Sequence, residues 1–246
     1  EKLLKIIGRE HNVKDVFNAV KNARKAGFEN INADLIYGLP EQEMSDFSAS
    51  VIALCELELP HISSYGLKIE KNSYFYNHSP ENLPDEDMQA DIYYYICDKL
   101  KENGYHQYEI SNFAKPGFES KHNLNYWNAE NYYGFGCAAC GYENDLRYSH
   151  KCKIKDYIEN PLLLTEKEIL SDEIKLEEKI FLGLRKSEGI NISEINQKFN
   201  IDFEKKYEKI LKKYEKYFVN STHGYALNKN GFLISNYIMS DFVETH

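Results

Sequence analysis

An α/β fold with parallel strands is predicted by three features of this chain. Helix and strand patterns alternate over residues 12–70, the first strand carries one polar and one apolar face, and the patterning changes to short aromatic-rich segments after residue 104. Asn12 is placed to cap a helix with Asp15 three residues on, and Val13, Val16, Phe17, Val20 and Ala23 recur at helical spacing until Gly27. Residues 30–37 then alternate, with Asn32, Asp34 and Ile36 on one face and Ile31, Ala33 and Leu35 on the other. Gly38-Leu39-Pro40 ends that strand. A second helix carries Met44, Phe47, Val51 and Leu54 on one stripe, and a second strand spans about 61–70. Strand, crossover helix and strand imply a parallel pair, and two strands cannot close a barrel.

The acidic run Pro84-Asp85-Glu86-Asp87 suits the positive end of a long helix, whose buried stripe is Met88, Ile92, Tyr95, Ile96 and Leu100. Residues 105–148 read as short strands of a small antiparallel sheet, with turns at Lys115-Pro116-Gly117 and Glu143-Asn144-Asp145. Pro161 marks a boundary. Beyond it come a helix at 175–186, a short helix following Ser193 with Gln197 near the capping-box position, and a third helix over 202–217. A β-wing at 219–227, turning at Thr222-His223-Gly224, precedes a last helix from Lys229. The expected division is 1–75, 76–160 and a winged-helix-like domain at 161–246.

Composition narrows the function. The 246 residues suffice for a sizeable core, and a formal net charge of −9 argues against a general nucleic-acid binder. Lysines in 161–246 are nearly balanced by acidic residues, so the winged-helix pattern is not read as DNA-binding. No run approaches the roughly 18 apolar residues of a membrane span, and no signal-peptide pattern is present, so a cytoplasmic protein is expected. The five cysteines, Cys55, Cys97, Cys137, Cys140 and Cys152, lack a secreted disulfide spacing. Cys137-Ala138-Ala139-Cys140 is a lone CxxC, which could join His150 or Cys152 around zinc or work as a redox pair.

One stretch, residues 121–136, concentrates a histidine, the single tryptophan, four other aromatics and two glycines. His122 offers a ligand or proton carrier, and Tyr126, Trp127, Tyr132, Tyr133 and Phe135 offer flat apolar faces. Gly134 and Gly136 permit close backbone approach. The bland alternative is a β-rich core loop in which these aromatics fill space.

The motif His122-Asn123-Leu124-Asn125-Tyr126-Trp127 resembles the HNxxYW motif of the HemW-like radical-SAM proteins, relatives of oxygen-independent coproporphyrinogen III oxidase in the HemN family. Gly8-Arg9-Glu10-His11-Asn12, the 34–40 segment Asp-Leu-Ile-Tyr-Gly-Leu-Pro, the 108–114 segment Tyr-Glu-Ile-Ser-Asn-Phe-Ala and the 181–185 segment Phe-Leu-Gly-Leu-Arg agree in the same order. The resemblance implies the second half of a radical-SAM (β/α) barrel, a β extension and a HemN-type carboxy-terminal domain. It matches Arg9, Asp34 and Ile36 to S-adenosylmethionine contacts, Ile36 through its backbone. It makes His122, Tyr126 and Trp127 haem candidates, and it implies a haem-transfer chaperone with haem-accepting partner proteins. The family's [4Fe-4S] cluster sits on a CxxxC-type motif that this chain lacks, so the chain is expected to be a carboxy-terminal portion without radical activity of its own, and to self-associate or be locally disordered at an unpaired strand edge near 30–37. The family usually has histidine where this chain has Cys140. The alternative readings are a decarboxylating coproporphyrinogen III oxidase and a zinc or redox module at Cys137 and Cys140.

Overall fold

In the computed structural model, which describes residues 1–243, a short helix α1 (Lys2–Ile6) leads to Asn12, where the first long helix α2 (Val13–Lys25) is capped. Asn12 Oδ1 accepts from the Asp15 amide at 3.2 Å and Asp15 Oδ2 accepts from the Asn12 amide at 2.9 Å, the reciprocal pair that the Asn-x-x-Asp spacing predicts. Strand β1 (Asn32–Tyr37), helix α3 (Met44–Glu56) and strand β2 (His61–Gly66) follow. The two strands are parallel and in register from Asn32↔His61 to Tyr37↔Gly66. β2 stops at Gly66, short of the expected 70, where the Leu67 amide donates a last bond to Tyr37.

After the one-turn α4 (Tyr74–Asn77), the long α5 (Glu86–Glu102) is capped by Asp85 and packs on α3. Its buried residues are Ile92, Tyr93, Ile96, Cys97 and Leu100, so the face is rotated slightly from the predicted stripe to include Tyr93 and Cys97. Strands β3 (His106–Glu109) and β4 (Asn112–Ala114) form a bulged antiparallel pair, and β4 inserts beside β2. The order is β1-β2-β4-β3, an open sheet with no barrel closure among the described residues. One face packs on helices: Ile31, Ala33, Val16, Phe17 and Leu54 surround Val20, Leu57 and Leu59. These elements form one compact unit, Glu1–Glu119.

The second unit, Ser120–His246, begins with a correction. The motif stretch is a helix, α6 (Lys121–Trp127), not a β-rich loop, because the Ser120 hydroxyl accepts from the Asn123 amide and caps it. Strands β5 (Cys140–Glu143) and β6 (Leu146–Ser149) form a hairpin; after α7 (Ile154–Glu159), β7 (Glu166–Ile169) pairs with β6. The predicted antiparallel region is thus two sheets, since only β3 and β4 join the first one.

Helices α8 (Asp172–Gly183) and α9 (Ile192–Phe199) follow. Asn191, not Ser193, caps α9: it is extended and its side chain accepts from the Glu194 amide. The predicted third helix is broken into α10 (Phe203–Lys206), α11 (Glu208–Lys213) and a 3-10 turn (Glu215–Tyr217). The breaks fall at Tyr207 and Tyr214, whose rings are buried, Tyr207 against Phe203 and Phe242. Packing here overrides helix propensity. The wing β8 (Phe218–Ser221) and β9 (Gly224–Leu227), then α12 (Lys229–Leu233) and α13 (Ser235–Ser240), end the described chain.

Phe47 on α3 is fully buried and meets the rings of Tyr37 and Tyr95 edge-on. Phe47→Ala should therefore cost about 3–5 kcal/mol, read as a lower urea midpoint at unchanged slope.

Candidate functional site

Side-chain alternation brings Asn32, Asp34 and Ile36 onto the sheet face that the helices leave uncovered, and the parallel register sets His61, Ser63 and Tyr65 beside them. Asn112 lies opposite Ser63 on β4 and extends the same face. The face is polar. Asp34 is exposed, and its two carboxylate oxygens accept from Asn32 Nδ2 at 2.6 Å and from the Tyr65 hydroxyl at 3.3 Å. Burial first, and then the Asp34 charge, push the Tyr65 hydroxyl above its ordinary range, while the Arg9 guanidinium pulls it back. That opposing effect places the Arg9 charge in the same neighbourhood, on the exposed loop between α1 and α2. Ile36 is half-buried in β1, whose ladder partner is β2.

Behind Asp34 lies a group that the sequence reading did not single out. His61 is 5 % exposed; its Nδ1 is 2.6 Å from Asn32 Oδ1 and its Nε2 is 2.8 Å from the Tyr108 hydroxyl. Burial holds its imidazole below the ordinary value, against the opposing pull of Asp34 and Glu119. Asn112 donates to Glu109 Oε1 at 2.5 Å, which leaves its buried Oδ1 with no partner among the described residues. The available signal was the parallel pairing itself, which sets His61 opposite Asn32 and Ser63 opposite Asp34.

In the second unit, α6 presents His122 and Tyr126 one turn apart, their rings edge-to-face at 4.9 Å, and Tyr126 meets Tyr132 at 4.6 Å. His122 is exposed, and no described group hydrogen-bonds its ring nitrogens. Trp127 turns inward: the Arg185 guanidinium stacks 4.5 Å from its ring, and its indole N–H is buried without a partner among the described residues. The next residues pair as well, Lys186 Nζ donating to Asn128 Oδ1 at 2.6 Å. Burial lowers the Lys186 pKa. Gly134 permits the expected close approach, since a Cβ there would lie 2.3 Å from the Cys140 carbonyl oxygen, whereas a Cβ on Gly136 would meet nothing within 4 Å and its φ of 109° is what calls for glycine. Tyr133 and Phe135 are exposed. Cys137 and Cys140 flank this turn, and among the described residues no three His, Cys, Asp or Glu side chains gather as metal ligands.

Comparison with known proteins gives this arrangement its relatives. The "Heme chaperone HemW" of Lactococcus lactis subsp. lactis (strain IL1403) is 41% identical over 250 residues, covering 98% of this chain and 65% of that protein. The protein of the same name from Bacillus subtilis (strain 168) is 38% identical over 254 residues, 98% of this chain and 66% of its own length. Over nearly its whole length the chain is similar to these HemW proteins.

The HemN C-terminal domain family matches residues 170–233, the segment from α8 through α12. The solved structure of Escherichia coli coproporphyrinogen III oxidase (HemN), a radical SAM enzyme, superposes with a TM-score of 0.81 at 20% identity, covering 98% of this chain and 61% of that one. It shares the fold. The chain spans 65% and 66% of the length of these two curated relatives. No helix among its described residues is long and apolar enough to cross a membrane.

Two expectations follow. Trp127 is the only tryptophan, so its emission reports the Arg185 contact directly; Arg185→Ala should shift the emission maximum and cost about 1–2 kcal/mol, and an unchanged spectrum would count against the stacking. Because the folded His61 pKa is lowered, the unfolded chain takes up the proton more readily. The stability that neutral His61 contributes is full above about pH 6.5 and is lost as pH falls from there through the lower folded value. Chemical denaturation between pH 7.5 and 5 should show that loss, and His61→Gln should flatten it.

Proposed function

We propose that this chain works in haem handling, binding haem at α6 and passing it to an acceptor protein, within a protein that also binds S-adenosylmethionine at the polar sheet face. The observation that carries this reading is identity of 41% and 38% to proteins named heme chaperones across 98% of the chain. The sites agree with it. His122 is exposed on a helix that Trp127 and Asn128 anchor to Arg185 and Lys186, so its imidazole is free to ligate iron while its backbone is held. Tyr126, Tyr132, Tyr133 and Phe135 lie on the same stretch and offer ring faces to a porphyrin.

For S-adenosylmethionine the residues fit. Asp34 supplies an exposed carboxylate, and the buried Oδ1 of Asn112 is an acceptor in want of a donor on the same face. Arg9 supplies a cation for the ligand carboxylate and the β1 backbone at Ile36 a further contact. When bound, this cofactor supplies the adenosyl group of radical chemistry; the residues named here bind and orient it. For a [4Fe-4S] cluster they do not fit, because among the described residues no three ligands converge, so no step is assigned to one. A decarboxylating oxidase is less favoured, since the structure of that enzyme is only 20% identical.

Titration of the intact protein with haemin tests the reading. His122→Ala should weaken binding on the order of tenfold or shift the Soret band. His78→Ala and His223→Ala should do neither, since His78 stacks on Tyr74 and His223 lies in the wing turn. Unchanged affinity and band position in His122→Ala would reject His122 as ligand, and loss in Cys140→Ala instead would indicate a thiolate.

A further inference from the structure

The hydrogen bonds behind Asp34 admit one arrangement of protons. An ionised carboxylate accepts only, so Asn32 must turn its amide nitrogen to Asp34 Oδ1, 2.6 Å away, and its Oδ1 away from it. That oxygen lies 2.6 Å from His61 Nδ1, which must therefore be the protonated nitrogen. In a neutral imidazole Nε2 is then an acceptor, and the Tyr108 hydroxyl at 2.8 Å donates to it. The sequence Tyr108 to His61 to Asn32 to Asp34 runs in a single direction across three strands, β3, β2 and β1, with Tyr65 closing the far carboxylate oxygen. Ser63, between His61 and Tyr65 on β2, also reaches the Asn32 amide, at 3.1 Å from its nitrogen. The Asn32 amide is thus held from both ends, its nitrogen by the Asp34 carboxylate and its oxygen by His61 Nδ1.

We propose that His61, with Tyr108 behind it and Asn32 in front, is a positioning residue that fixes the Asp34 carboxylate for the hydrogen-bond donors of S-adenosylmethionine. The inference rests on the reading of Asp34 as a contact to that cofactor. His61 touches no ligand in this scheme. It acts by setting the Asn32 amide, which in turn sets the angle at which Asp34 presents its oxygens. A network in which every donor has its acceptor holds the carboxylate before the ligand arrives, so binding spends less on ordering it.

The test measures affinity of the intact protein for S-adenosylmethionine by calorimetry, together with the ¹⁵N spectrum of the histidines. His61→Phe should weaken binding on the order of tenfold, the scale of one well-formed hydrogen bond to a charged partner's neighbour. His61→Gln, which keeps a donor for Asn32, should recover part of the loss. Tyr108→Phe removes one hydroxyl from an intact core and should weaken binding by a smaller factor, about threefold. In an Asp34→Asn background, His61→Phe should add no further loss, because it has nothing left to act through. The His61 spectrum should show the proton on Nδ1. A proton on Nε2, or losses from His61→Phe and Asp34→Asn that simply add, would overturn the positioning role while leaving Asp34 as a contact. Binding by Asp34→Asn equal to the unsubstituted protein, or no binding by either, overturns the assignment of Asp34 itself.

Discussion

The in-register parallel ladder between β1 and β2 is the constraint on which the first unit depends. Side chains on a strand alternate, so a slip of one residue would send Asn32 and Asp34 into the layer of Val20, Leu57 and Leu59 and bring Ala33 and Leu35 to the open face. Both outcomes are costly: a carboxylate would be buried among aliphatic groups with no partner, and apolar burial would be forfeited. The register is also tied at its margins. Arg24 at the end of α2 donates to the Leu57 carbonyl at 2.6 Å, and the Tyr105 hydroxyl donates to that of Leu59 at 2.5 Å, so the chain enters β2 at a set height. Because the polar residues of both strands share one face, the same constraint that builds the core also assembles the candidate cofactor site.

Much of this was legible in the sequence, for reasons that can be traced to particular residues. The Asn12 cap, the alternation over 31–36, the Phe47 and Val51 stripe and the wing around Gly224 each depend on neighbours within a few positions. What escaped depends on distant partners. The helix of 121–127 has a histidine, two asparagines and two aromatics in seven residues, all poor helix formers, and it exists because Ser120 caps it and Arg185 holds Trp127. The breaks at Tyr207 and Tyr214 follow from burial of rings, Tyr207 beside Phe242 some 35 residues on. The strand at 166–169 is exposed along its length and carries no apolar alternation to announce it. Among the candidate site residues, Asp34 and His122 were singled out through motifs, whereas His61 and Tyr108 were not, because what links them is a hydrogen bond spanning 47 positions.

Two short motifs that look independent in the chain are one contact in the second unit. Trp127 and Asn128 meet Arg185 and Lys186 pairwise, aromatic to guanidinium and amide to ammonium, so the end of α6 is bound to the end of α8 through two adjacent residues on each side. Burial makes the ammonium of Lys186 costly to keep charged, and the Asn128 oxygen offsets that cost. An Arg-to-Lys exchange at 185 would keep the charge and lose the flat face, so the two basic positions are not interchangeable.

The two edges of the first sheet differ in kind. At β3 the ladder is irregular between Gln107 and Glu109, a bulge that twists the strand and discourages a further partner. At β1 six residues run straight, with one side of the backbone offered and no bulge in the ladder to β2. The sheet therefore has a favoured direction of growth: β1 is the edge better suited to receive a further strand, and a strand pairing there would pass beside Asp34.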